Sequence, residues 1–312
     1  MMRATTGNVF RAAFDRRMSV DGDGFRIRPA LIWLAFGGFY LAYFGGSILN
    51  TFRRWTDLSA PIAHDPTWVE LLRDLGFALL LVALYFAVRP RVRPLRDLDA
   101  EPRGIRWRTV AMVAVVYLAI QVVLAPVESL VNAVPIWGWL GNAGGSAGAQ
   151  LASDVPGVAM TVEAIGSAIA AGVIEELSLV ALPVIFLSAA GISMRLVLPV
   201  LVVARLGLHL HHGVPTALAM IIWACLALWL YLRVSSVLPL IIGHAAFDIL
   251  VFLPNALSEE IGGVVKVVGM LVVPLVALVL CLLGWRAGRV AARDAQRRNV
   301  LPRGPRSTQE FA

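Results

Sequence analysis

Two adjacent carboxylates, Glu175 and Glu176, sit in the middle of an apolar stretch that runs from Ala164-Ile165-Gly166 through Leu182-Pro183-Val184. An ionised carboxylate at bilayer depth costs at least ~2.5–3.5 kcal/mol on insertion scales, so such groups face a bundle interior or a watery cavity. Two later apolar stretches carry the candidate partners: one ends in Arg205-x-x-x-His209, the other contains His244-x-x-x-Asp248. At i, i+4 on a helix, the members of each pair share one face and can act together. A buried glutamate with a nearby histidine can activate a water as general base and then protonate a leaving amine. A second histidine beside an aspartate can hold one tautomer and donate to a developing oxyanion. The same groups, taken as Glu175, His209 and His244, also make a zinc site with one position left for water. Either route hydrolyses an amide near or within the bilayer.

The elements that must position these residues are membrane helices. The 312-residue chain is 59% hydrophobic and 15% charged, with a mean hydropathy of +0.77. Apolar runs of twenty residues in that number belong to a polytopic membrane protein and not to a soluble domain. Hydrophobic patterning predicts eight spans, at about 29–50, 68–88, 109–131, 158–188, 194–211, 215–232, 237–253 and 261–283. The fold class expected is therefore an all-α, polytopic transmembrane helical bundle.

Arginine sets the expected orientation. The amino tail has six arginines, the segment from Arg89 to Arg108 has seven, and that from Arg286 to Arg306 has seven, whereas 132–156 has no Lys or Arg. Under the positive-inside rule both termini are cytoplasmic, with Arg53 and Arg54 in an outward loop as the one dissent. The net charge of +7 comes from 26 Arg and one Lys clustered beside apolar runs. That pattern orients a protein in a lipid bilayer and does not build a groove for phosphates, so no nucleic-acid partner is expected. The expected division is a cytoplasmic tail (1–28), three transmembrane helices (29–131), an extracytoplasmic loop (132–157), a helical core holding the polar set (158–256), a last transmembrane helix (257–284) and a basic cytoplasmic tail (285–312).

Other polar residues have plainer readings. His211 and His212, beside Gly213 and Pro215, read as turn residues, and Arg195 and Arg233 as inside-facing anchors. Glu128, near the outer end of the third span, reads as a packing or interfacial carboxylate, and nothing else ionisable is expected from the first three spans. Trp33, Trp55, Trp68, Trp107, Trp137, Trp139 and Trp285 fall near span ends, as an interfacial belt would. Cys225 and Cys281 lie in apolar runs and fit no ligand spacing. Counted at ~1.5 Å per residue, His209 lies ~21 Å along its helix from Arg195 and His244 ~10 Å from Val237. For the groups to meet, the fifth span must tilt or start deeper, with Pro199 and Pro183 offering kinks.

In order and spacing the three blocks resemble the CPBP family of intramembrane proteases, also called the CAAX prenyl protease 2 or Abi family. Its pattern is Glu-Glu-x-x-x-Arg, then Phe-x-x-x-His, then His-x-x-x-Asn/Asp. The resemblance covers about residues 155–256, and the form Arg205-x-x-x-His209-x-x-x-Gly213 looks like a bacterial branch. It implies a membrane peptidase in which Glu175 activates water, His209 is its partner, and His244 and Asp248 shape the oxyanion side, with or without a zinc ion. Two positions depart from the pattern: Val180 stands at the first-block Arg, and Arg205 at the Phe. Arg205 is accordingly expected to supply the counter-ion for Glu175 and Glu176 from a different helix.

The leading expectation is an eight-span CPBP-type endopeptidase of a bacterial inner membrane, acting on a peptide or membrane-protein substrate. Two other classes stay open. One is a catalytically silent relative serving as a membrane scaffold or bacteriocin-immunity-type binding protein, in which Arg205 and the glutamates are structural glue. The other is a proton-coupled transporter, which also uses buried Glu and His but more naturally shows repeated halves with broken helices; no such repeat is evident.

Overall fold

The computed structural model describes residues 29–56, 67–88, 107–132, 157–190, 192–210, 214–234, 236–257 and 259–300. Nearly all of these are helical and none is in a strand. In chain order the helices are α1 (Pro29–Thr56), α2 (Thr67–Val88), α3 (Trp107–Asn132) and α4 (Gly157–Glu176). A π-helical turn, Leu177–Ala181, continues α4 into α5 (Leu182–Ala189). Then come α6 (Met194–His209), α7 (Val214–Val234), α8 (Leu238–Ala256) and α9 (Glu259–Val300). With α4, the π turn and α5 taken as one rod, the helices fall one to one on the eight expected spans.

Four of the rods contain a stretch long and apolar enough to cross a membrane: Trp68–Val88, Trp107–Leu124, Thr161–Leu187 and Glu260–Leu280. The apolar stretches Ala30–Gly46, Met220–Val234 and Leu238–Pro254 are shorter. With 16 residues, α6 rises only ~24 Å, against a hydrocarbon core ~30 Å thick. The outside of the bundle is apolar: Leu34 and Leu79 are each 71% exposed and Leu271 is 68% exposed. A soluble monomer rarely carries so large an apolar surface, and acyl chains cover it without cost.

Two helices run past the expected spans. From Trp285 to Val300 the sequence is rich in Ala and Arg and holds no Pro, so α9 continues as helix well beyond 283. Similarly, α1 extends to Thr56. The amino tail 1–28, the arginine-rich segment 89–106, the loop 133–156, the residues 301–312, the side chain of Glu128, and His211 and His212 lie outside the described residues.

At the centre, α8 packs along both α4 and α3, while α2 covers another side of α4 and α7 lies beside α6 and α3. Glycine decides how close these helices come. A Cβ at Gly172 would lie 3.0 Å from the backbone nitrogen of Ala245 and 3.0 Å from the carbonyl of Ile241. A Cβ at Gly243 would lie 2.7 Å from the carbonyl of Ala114. Such small-residue contacts are how membrane helices gain packing energy, because lipid tails are as apolar as the side chains. They draw α4, α8 and α3 together at the level of the polar residues. The π turn has its own cause. Pro183 offers no N–H to the preceding turn and its ring crowds the carbonyl four residues back. The Leu182 N–H accordingly reaches Leu177 O, five residues back. An extra residue is taken up just after Glu176, and such bulges are frequent at functional sites.

Candidate functional site

All six residues singled out from the sequence meet in one cluster built from α4, α6 and α8. Arg205 Nη2 donates to Glu176 Oε1 at 2.7 Å and to Glu175 Oε2 at 3.3 Å. The expected counter-ion therefore does reach both glutamates from the neighbouring helix. His209 Nε2 lies 3.4 Å from Glu175 Oε2. On α8, His244 Nδ1 lies 2.8 Å from Glu176 Oε1 and His244 Nε2 lies 3.5 Å from Asp248 Oδ2. The depth mismatch between His209 and His244 is thus closed. The α6 helix carries Pro199 internally, and Arg205 Nη2 comes within 3.5 Å of His244 Nδ1.

The two glutamates are not equivalent. Glu176 is 0% exposed, whereas the Glu175 side chain retains 13%. Successive helical residues point ~100° apart. Glu176 is therefore directed between α3, α6 and α8, and Glu175 toward the His209 end of α6. Glu176 Oε1 is the hub, with Tyr117, Arg205 and His244 all converging on that one oxygen. Asp248, beside His244, retains 14% exposure. Burying three carboxylates is tolerable only where they are paired and hydrogen-bonded, and this network does that pairing.

Two contributors were not anticipated. Tyr117, fully buried on α3, donates from its hydroxyl to Glu176 Oε1 at 2.8 Å. Trp223 on α7 donates from Nε1 to the Tyr117 hydroxyl. Its ring lies 4.4 Å from the Arg205 guanidinium carbon, 4.8 Å from the His244 ring and 5.9 Å from the His209 ring. A tryptophan at mid-span, away from the interfacial belt, was the available signal. For Tyr117 only its place in an otherwise apolar span marked it. The first three helices also contribute more than the expected Glu128. The Tyr43 hydroxyl on α1 donates to Asp74 Oδ1 on α2 at 2.8 Å, and Asp74 pairs with Arg73 at 3.2 Å. The Tyr40 hydroxyl donates to the carbonyl of Ala204, next to Arg205. Of the inside anchors expected from the sequence, Arg233 is exposed and lies over the Trp229 ring.

Comparison with protein-family models, with curated proteins and with solved structures found no match to this chain.

Proposed function

We propose that this protein is an intramembrane endopeptidase of the CPBP type, hydrolysing a peptide bond at or within the bilayer with water activated by Glu175 and His209. The observation that carries the reading is the asymmetry of the glutamates: Glu176 is sealed by three partners, while Glu175 keeps an exposed edge with His209 3.4 Å away. That separation is long for a direct hydrogen bond. Catalytic hydrogen bonds are often long in the free enzyme and tighten only in the reacting complex. The membrane setting follows from the four long apolar helices, and the arginine distribution supports a bacterial inner membrane with both termini inside.

In this reading the donor set is committed to ion pairs rather than to a zinc ion. Glu175 and Glu176 share one guanidinium, and His244 is flanked by Glu176 and Asp248. A divalent cation held by Glu175 and His209 would sit against the positive charge of Arg205. The proposed proton chemistry therefore runs through the side chains alone.

The test is cleavage of a peptide library by the purified full-length protein in lipid nanodiscs, beside Glu175→Ala, each with and without chelator. Wild type is expected to give products that Glu175→Ala lacks, whether or not chelator is present. Identical product patterns from the two proteins would remove the peptidase reading and favour the scaffold alternative, for which the double pairing of Arg205 is the supporting observation. Loss of activity in chelator would return a metal to the site.

A further inference from the structure

The peptidase reading leaves open which group receives the charge that develops on the substrate carbonyl. Removing one donor to such an oxyanion costs about 10²–10³ in kcat. The family resemblance would give this role to His244. In this fold both His244 ring nitrogens face carboxylates, Nδ1 at 2.8 Å from Glu176 and Nε2 at 3.5 Å from Asp248. A ring so held has no N–H to turn to a substrate without abandoning one of them.

Arg205 is the reverse case. One nitrogen, Nη2, serves both glutamates, while Nε and Nη1 are buried and hydrogen-bond to no described protein atom. Glu176 Oε2 is likewise buried without a hydrogen-bond partner among the described residues. A buried charged donor left unpaired is costly, so Nη1, which shares the outer edge of the guanidinium with Nη2, is complete only when an acceptor oxygen reaches it. The guanidinium is held in place by Trp223 against its face and by the two carboxylates at Nη2. Because Nη2 is 3.3 Å from Glu175 Oε2, a carbonyl at Nη1, on the edge it shares with Nη2, would neighbour a water held by Glu175.

We propose, on the basis of the peptidase reading, that Arg205 binds the substrate carbonyl oxygen through Nη1 and carries its charge in the tetrahedral intermediate. His244 is then a positioning residue that holds Glu176, and Glu176 holds the guanidinium. In the attacking step Glu175 takes a proton from water as the water oxygen bonds to the amide carbon. The carbonyl π pair moves onto the oxygen held by Arg205. The pair then returns to re-form C=O, the C–N bond breaks, and the amine leaves with the proton passed from Glu175 by way of His209. Water and the amide are the only reactants.

The probe is a phosphinic peptide built on a sequence cleaved in the library assay, since its tetrahedral anion resembles the intermediate. Arg205→Lys keeps a positive charge beside Glu175 and Glu176 but replaces the fork with a single point donor. We expect it to retain a cooperative melt, to keep KM within about threefold, and to lose about 10²-fold in both kcat and phosphinate affinity. In parallel, Arg205→Ala should regain turnover with millimolar guanidinium and not with methylammonium, a rescue that a purely structural cation would not restrict to the planar ion. Wild-type kcat or wild-type phosphinate affinity in Arg205→Lys overturns the assignment. So does a His244→Gln protein that loses the phosphinate preference while Arg205→Lys keeps it. If wild type itself cleaves nothing beyond Glu175→Ala, the peptidase reading falls and this inference with it; cleavage with an unimpaired Arg205→Lys removes the Arg205 role alone.

Discussion

Glu175 and Glu176 are neighbours in the chain but hold different positions, one at a partly open edge and the other fully enclosed. The enclosed member sets the stability of the site. Glu176 and Arg205 pair at 2.7 Å with 0% and 1% side-chain exposure, so removing either leaves a buried charge without its main partner. Glu176→Ala and Arg205→Ala should each destabilise by ~3–5 kcal/mol. The double variant should lose less than the sum, with a coupling of ~0.5–3 kcal/mol. Denaturant unfolding of the four proteins in detergent micelles measures this, and strictly additive losses would show that Arg205 is not the counter-ion of Glu176. At this scale the sequence was informative wherever a residue was conspicuous. Glu175, Glu176, Arg205, His209, His244 and Asp248 stand out because each is ionisable in an apolar run. Tyr117 and Trp223 do not, since aromatic side chains are at home in apolar helices and only a contact reveals their polar ends.

Among the elements, two features hold the site: the π turn after Glu176 and the glycine contacts of α8. The Gly243 contact is against backbone, which cannot give way as a side chain can. Gly243→Val should push α8 off α3 and separate His244 from the Tyr117–Glu176 pair. A loss of ~1–3 kcal/mol is expected from overpacking alone. Gly263→Val on α9 is the control, because nothing lies within 4 Å of a Cβ there; it should melt within ~0.5 kcal/mol of wild type. Equal melting of the two variants would show that the α3–α8 approach is not tight. Element boundaries were legible where a proline or glycine marked them, as with Pro239 at the start of α8. The π turn was not legible, because Pro183 predicts a kink but not that the helix absorbs it by adding a residue. The end of α9 was not legible either, since hydropathy reports where lipid contact ends and not where helix ends.

For the whole molecule, the apolar exterior and buried polar centre are the inverse of a soluble protein's pattern and match a chain solvated by lipid. The six arginines of the amino tail and the seven from Arg286 onward predict both termini on the cytoplasmic side. Reporter fusions at each end, one type active only in the cytoplasm and one only outside it, test this. Cytoplasmic signal is expected from both ends, and an outside signal from either end would mean an odd number of crossings. The short α6 bears on the same question. It need not span alone, because its polar end finishes in the protein interior at His209, beside Glu175 of α4 and Trp223 of α7.

Read residue by residue, the chain already specifies a bundle of apolar helices, where each begins to within a few residues, and which six ionisable residues must find one another. Composition and period decide those matters locally, since a helix in lipid satisfies its own backbone and a charge in lipid requires a partner. Only the tertiary structure decided which partner each charge takes. It placed Arg205 across both glutamates, closed His244 between Glu176 and Asp248, and brought in Tyr117 and Trp223, which no charge beside them in the sequence announces. Pairing depends on the approach and rotation of helices distant in sequence, and those are set by glycine contacts and a π turn whose effect appears only when the neighbouring helix is in place.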